Sequence, residues 1–258
     1  MLERLFVSSK RLDGGRQSGP EFRRRSPEIS RIEAFSDVVF GFSLTLLVVS
    51  LEVPRTYSEL IADMRGFIPF AVCFALLAQV WWLHHNFFRR YGLDDAMTAT
   101  LNFVLLFVVL FYTYPLKFVF TGLFNQMTGH SELHDTGGTV VPWMAGDQAA
   151  RLMIIYGIGY AAVFLIFVLL YLNALKRRGQ LELTAVEIFD TYTSMLESGF
   201  QVFVGLLCAS LAALLPTNIS GLSGFVYFII PIGMTIIGMR RGSARRRLQA
   251  SLATNTAD

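Results

Sequence analysis

Six apolar blocks, each near the length needed to cross a bilayer, dominate this sequence, and polar or basic stretches separate them. A helix needs about 20 apolar residues to span the hydrocarbon layer, where every backbone polar group must be satisfied within the helix itself. The blocks run from about Ser30 to Pro54, Phe67 to Phe88, Met97 to Phe120, Gln148 to Leu175, Thr193 to Leu215 and Ile219 to Met239. Composition agrees. Of 258 residues, 53% are hydrophobic and only 16% charged, against about 25% charged in a typical soluble domain. Mean hydropathy is +0.50. Too little charged surface remains to solvate a globule. The expected fold is an all-α membrane protein with six transmembrane helices. Residues 1–29 read as a basic, flexible cytoplasmic arm, 30–240 as the transmembrane domain and 241–258 as a basic cytoplasmic tail.

Local signals set the boundaries. Ser30 with Glu33 has the spacing of a capping box at the start of the first helix. Pro54 ends that helix, and Arg89, Arg90 and Gly92 end the second. Pro115 predicts a kink in the third, and residues 181–193 read as an amphipathic lead-in to the fifth. No apolar core precedes Phe35, so no cleavable secretory signal is expected. Charge fixes orientation. Of 22 Lys and Arg, eighteen fall on one side of a six-span arrangement: eight in 1–31, two at 89–90, three at 176–178 and five at 240–247. Positive loops stay inside. The chain is therefore expected as a multi-pass protein of the cell membrane with both termini cytoplasmic. No internal repeat is visible.

The first helix carries two candidate faces. Val38, Phe42, Thr45 and Val49 recur at helical spacing, and Ser36, Ser43 and Ser50 form a hydroxyl stripe on nearly the opposite side. Either face suits water on the residues alone. Asp37 lies about 9 Å into the helix, where a carboxylate is costly and needs partners. Ser36, Trp82, His84, His85 and Asn102 are the candidates. His84 and His85 are adjacent, so they point about 100° apart and do not readily share a metal. His130 and His134 have i, i+4 spacing beside Asp135, but four residues of polar loop supply too few ligands for a metal site.

The run RIEAFSD at 31–37, continued by VVFGFSLTLLVVSLEVP, resembles the first helix of the lysosomal potassium channel family (transmembrane protein 175 and its bacterial relatives). The match rests on Arg31, Phe35, Ser36 and Asp37, then on Thr45, Leu46, Leu47 and Val48. WWLHHNFF at 81–88 and the Leu-Asn pair at 101–102, followed by Pro115, resemble the second and third helices. The resemblance implies a homotetramer of six-helix subunits around a central pore, permeable to potassium and lined by the first helix. It implies Val38, Phe42, Thr45 and Val49 on the pore face, with Phe42 where Leu or Ile is usual, so that the conduit is narrower. Four Thr45 hydroxyls would stand among apolar rings that gate by dewetting. It assigns the serine stripe to close helix packing. It also implies a polar network tying the first helix to its neighbours through Arg31, Phe35, Ser36, Asp37, Trp82, His84, His85 and Asn102.

The expected partners are potassium ions, membrane lipid and further copies of the chain, with no nucleic acid. No cofactor or metal is expected. No nucleophile triad, phosphate loop or nucleotide motif occurs, so no enzyme is expected. Two rival classes remain open: a membrane-embedded oxidoreductase using helix-borne His, and a secondary cation transporter. Four His in the whole chain leave little material for paired haem ligands.

Overall fold

The structure, a computed structural model, describes residues 22–26, 28–49, 56, 57, 61, 64, 66–128, 134–136, 139–141, 148–216 and 219–255. Its main elements are α1 (Arg31–Val49), α2 (Phe67–Tyr91), α3 (Ala96–Met127), α4 (Gln148–Lys176), α5 (Ala185–Leu214), a 3-10 helix (Ser220–Phe228) and α6 (Ile229–Asn255). Two three-residue strands, β1 (His134–Thr136) and β2 (Thr139–Val141), form an antiparallel ribbon between α3 and α4. The architecture is otherwise helical. Helices α2, α3, α4, α5 and the segment Ser220–Thr254 are each long and apolar enough to cross a membrane.

Several ends follow from the residues that make them. Ser30 and Glu33 form the expected capping box: the Glu33 amide donates to Ser30 Oγ at 3.1 Å and the Ser30 amide to Glu33 Oε2 at 3.3 Å. Helix α2 stops at Gly92, whose left-handed φ of 58° lets its N–H reach the Phe88 carbonyl at 2.8 Å. Asp95 caps α3, its carboxylate accepting from the amides of Met97 and Thr98.

Other expectations need correction. Helix α3 contains Pro115 and continues past the expected end at Phe120 to Met127. The amphipathic lead-in is the first part of α5 itself, because Thr184 and Glu187 make a second capping box. Helix α6 continues past residue 240 to Asn255, so the described part of the basic tail is helical. Residues 22–26, at the end of the basic arm, lie against the helices. Arg25 donates through Nη2 to Glu187 Oε2 at 2.8 Å and through Nε to the Leu181 carbonyl at 2.9 Å. Its amide bonds the Arg89 carbonyl, and Phe22 packs edge-on against Tyr91. His134 lies on a strand opposite Val141, so it offers no helical i, i+4 pair; His130 lies outside the described residues.

The core lies where α2, α3 and α4 meet, around Phe87, Phe88, Leu105, Val109, Phe167 and Leu170. Helices α4 and α5 approach most closely. A Cβ added to Gly157 would stand 2.6 Å from the Gly205 carbonyl oxygen, and one added to Gly205 would stand 2.8 Å from that of Gly157. Ala161 and Ala209, one turn on from each glycine, complete a seam of small residues.

Candidate functional site

Helix α1 has two chemically different sides. Glu33, Ser36, Phe40, Ser43 and Leu47, spaced three and four apart, are all buried against the neighbouring helices. The opposite side is open: Val38 is 70% exposed, Phe42 is 56% exposed, and Thr45 is exposed beside them. Val49 closes the helix, and its side chain lies outside the described residues, as does Ser50.

The buried serines spend their protons on their own helix, Ser36 on the Ile32 carbonyl at 2.7 Å and Ser43 on the Val39 carbonyl at 2.9 Å. Thr45 is arranged similarly but faces outward. Its hydroxyl donates to the Phe42 carbonyl at 2.7 Å. The outward lone pairs of Oγ1 are thereby left as pure acceptors, which is the polarity a cation needs.

The polar network expected around α1 is present in part. Asn102 Nδ2 donates to Ser36 Oγ at 2.9 Å, and Asn102 Oδ1 lies 2.8 Å from His84 Nε2. An amide oxygen only accepts, so His84 carries its proton on Nε2 and protons run in one direction from His84 through Asn102 and Ser36 to the backbone. His84 Nδ1 is buried with no hydrogen-bond partner. All three side chains are fully buried. Asp37 is held separately: Trp81 Nε1 donates to its Oδ1 at 2.7 Å. Trp82, one of the five candidate partners, is more than half exposed and stacks on His85, as Trp81 also does. The one-residue difference is helical phase. Trp81 follows the buried Leu77 by four residues and precedes the buried His84 by three, whereas Trp82 is turned about 100° away. His85 Nδ1 sits 4.0 Å from Glu33 Oε1. Phe35 meets Phe103 edge-on, and Arg31 is exposed and contributes no bond to the network.

Two further anchors were not anticipated. Lys117 donates through Nζ to the Leu47 carbonyl at 2.8 Å. That carbonyl belongs to the last described turn of α1, where helix carbonyls lack internal partners and a cation is favoured. A lysine inside an apolar block was the available signal. At the other end, the bonds of residues 23–26 to α2 and α5 fix the approach to Ser30. Helix α1 is therefore tied at its entry, its middle and its last turn, on one side only.

Near the start of α3, Asp95 accepts from Arg177 Nη2 at 3.0 Å and from Asn173 Nδ2 at 3.2 Å. Partial burial opposes the charge of the Asp95 carboxyl, but bonds from Thr98, the Arg177 guanidinium and Asn173 hold its pKa below the usual carboxylate value. Among the described residues no group of His, Cys, Asp and Glu has the makings of a metal site.

Comparison with known proteins bears on this arrangement. A family model described as the endosomal/lysosomal potassium channel TMEM175 matches residues 31–112, the stretch holding α1, α2 and the network. A potassium channel of Marivirga tractuosa is 40% identical over 235 residues, covering 89% of this chain and 94% of the relative. Another, from Chamaesiphon minutus, is 33% identical over 96 residues, 34% of this chain and 47% of the relative. The crystal structure of a variant of the potassium channel MtTMEM175, in complex with a nanobody fusion, superposes with a TM-score of 0.73 at 37% identity, over 87% of this chain and 98% of that one. A lysosomal potassium-selective TMEM175 homologue from Chamaesiphon minutus shares the fold, with a TM-score of 0.53 at 23% identity over 82% of this chain and 96% of that one. A likeness of that extent, centred on the helix with the exposed threonine face, means that this chain belongs to the TMEM175 family of potassium channels.

Proposed function

We propose that four copies of this chain assemble in the cell membrane, both termini cytoplasmic, into a potassium-permeable cation channel whose conduit is lined by α1. The observation that carries this reading is the open face of α1. Val38, Phe42 and Thr45 are exposed in the single chain, while the opposite face is anchored by hydrogen bonds. One helix cannot enclose a conduit, but a closed ring of identical helices can. Val49 stands on the same stripe by its spacing. In such a ring the Thr45 oxygens, their protons engaged by the Phe42 carbonyls, would partly replace the water of a passing cation. Phe42 supplies the apolar constriction. The network Ser36–Asn102–His84, with Asp37–Trp81 beside it, positions the helix rather than meeting the ion.

The test is ion flux from liposomes in potassium and in sodium, with the assembly's mass measured in detergent. Thr45→Ala is expected to keep flux and weaken the preference for potassium. Phe42→Ala is expected to raise flux. Ser43→Ala is expected to change neither. Sensitivity at Ser43 with silence at Thr45 would mean that the serine face lines the conduit, and a stable monomer would exclude a shared pore.

A further inference from the structure

Helix α6 carries five arginines over Arg240–Arg247, and they divide into two sets by direction. Arg241 and Arg245 turn inward. Arg241 lies over the Phe189 ring, 4.1 Å from its centroid, and donates to Thr193 Oγ1 at 2.9 Å; Arg245 pairs with Asp190 at 2.8 Å. Both contacts are to the first turns of α5. Arg240, Arg246 and Arg247 are exposed and face away from the bundle. Among the described residues Arg246 reaches its own helix, donating to Ser243 Oγ at 3.3 Å. No Asp or Glu occurs anywhere in α6.

The outward set continues an apolar face. Ile232, Ile236 and Met239 are exposed at spacings of four and three, and Ser243 and Arg246 follow at the same spacings. Arg240 and Arg247, seven residues apart, flank that line. Length gives the depth. From Ser220 the 3-10 helix rises roughly 2 Å per residue and α6 about 1.5 Å. Met239 is therefore reached after ~35 Å, close to the ~30 Å hydrocarbon thickness. By that length Met239, the end of the long apolar run, falls near the edge of a hydrocarbon layer that begins at Ser220, and the three outward guanidiniums follow it. Arg240 and Arg247 are ~10 Å apart along the axis, a span comparable with the headgroup zone.

We infer that Arg240, Arg246 and Arg247 form a binding site for the phosphates of anionic phospholipids on the outer face of α6, while Arg241 and Arg245 hold that face in place against α5. Guanidiniums match phosphate oxygens in charge and in fork geometry. A neighbouring acyl chain lies against Ile232, Ile236 and Met239, so headgroup and chain are met by one continuous surface. The inference rests on α6 crossing the membrane and not on the conduit, and binding is measurable without ion flux.

The experiment is titration of the full-length protein in neutral detergent with fluorescent short-chain phosphatidylglycerol, and with phosphatidylcholine as the neutral control. Phosphatidylglycerol is expected to bind more tightly, and raised salt to weaken it. The triple substitution R240Q/R246Q/R247Q is expected to weaken phosphatidylglycerol binding roughly a hundredfold and to leave phosphatidylcholine unchanged. The triple lysine variant retains most of the binding. Equal affinity of the native protein for both lipids, or unchanged phosphatidylglycerol affinity in the glutamine variant, overturns the inference. So does a change of assembly mass in the glutamine variant, which would make this face a contact between copies of the chain.

Discussion

The α4–α5 seam and the α1 seam solve the same problem in opposite ways. Between α4 and α5, Gly157 and Gly205 remove side chains altogether and bring the two backbones into contact. Around α1, the helix is held by side chains that reach across: Asn102 to Ser36, Trp81 to Asp37, Lys117 to Leu47. A backbone-to-backbone seam depends on shape and tolerates no added atom. A hydrogen-bonded seam depends on matched donors and acceptors, and it keeps the bonded helix at side-chain distance. The first belongs to the scaffold and the second to the helix proposed to face ions. Small changes of α1 are thus open to tuning through its anchors, while the α4–α5 pair stays fixed.

The comparison breaks most easily at Gly205. Gly205→Leu puts its Cβ 2.8 Å from a backbone oxygen, which cannot swing aside. The expected cost is about 3 kcal/mol or more, above the usual range for overpacking a core. It appears as loss of folded protein on size exclusion, and normal yield and melting temperature would show that the seam relaxes. Asn102→Ala comes next. It strips the bonds to Ser36 Oγ and His84 Nε2 in a fully buried site, with an expected loss of ~1–3 kcal/mol. Adding Ser36→Ala to it should cost little more, because the partner has already gone; full additivity in the double-mutant cycle would show that the two residues act independently.

The smallest effect falls at Asp95, which joins the start of α3 to the end of α4. Its pKa is depressed in the folded state, so its stabilisation is complete above the ordinary value of ~4 and is lost as pH falls through the folded pKa. Asp95→Asn should lower the melting temperature modestly at pH 7. The gap to the native protein should close below about pH 4. A gap that is constant with pH would assign the effect to packing rather than charge.

Five of the expected spans were legible because each long apolar block signals itself. So was the start of α1, where Ser30 and Glu33 lie within one turn. The start of α5 was misplaced although Thr184 and Glu187 carry the same signature. Glu187 and Asp190 interrupt the apolar run there, and hydropathy outweighed the cap. The glycines of the α4–α5 seam stand four residues before alanines in both helices, but a spacing does not say which helix is the partner. Trp81 and Trp82 are equal donors in composition, and only the phase of the helix separates them. The docking of Phe22, Arg23 and Arg25 had no local pattern at all. Its partners around the start of α5 lie more than 150 residues away in sequence and those at the end of α2 more than 60, and nothing near the arm announces them.

That separation has a consequence for how the molecule is made. Arg25 leaves the ribosome well before Glu187, which follows it by 162 positions. The segment leading into α1 can bond the end of α2 once Arg89 and Tyr91 are made, but it waits for its α5 partner while α3 and α4 are synthesised. Only when the first turn of α5 has emerged does Glu187 become available to both Arg23 and Arg25. The clasp closes late in synthesis. A chain that stalls or inserts α5 wrongly keeps this segment held by α2 alone, a mark by which an unfinished chain differs from a finished one.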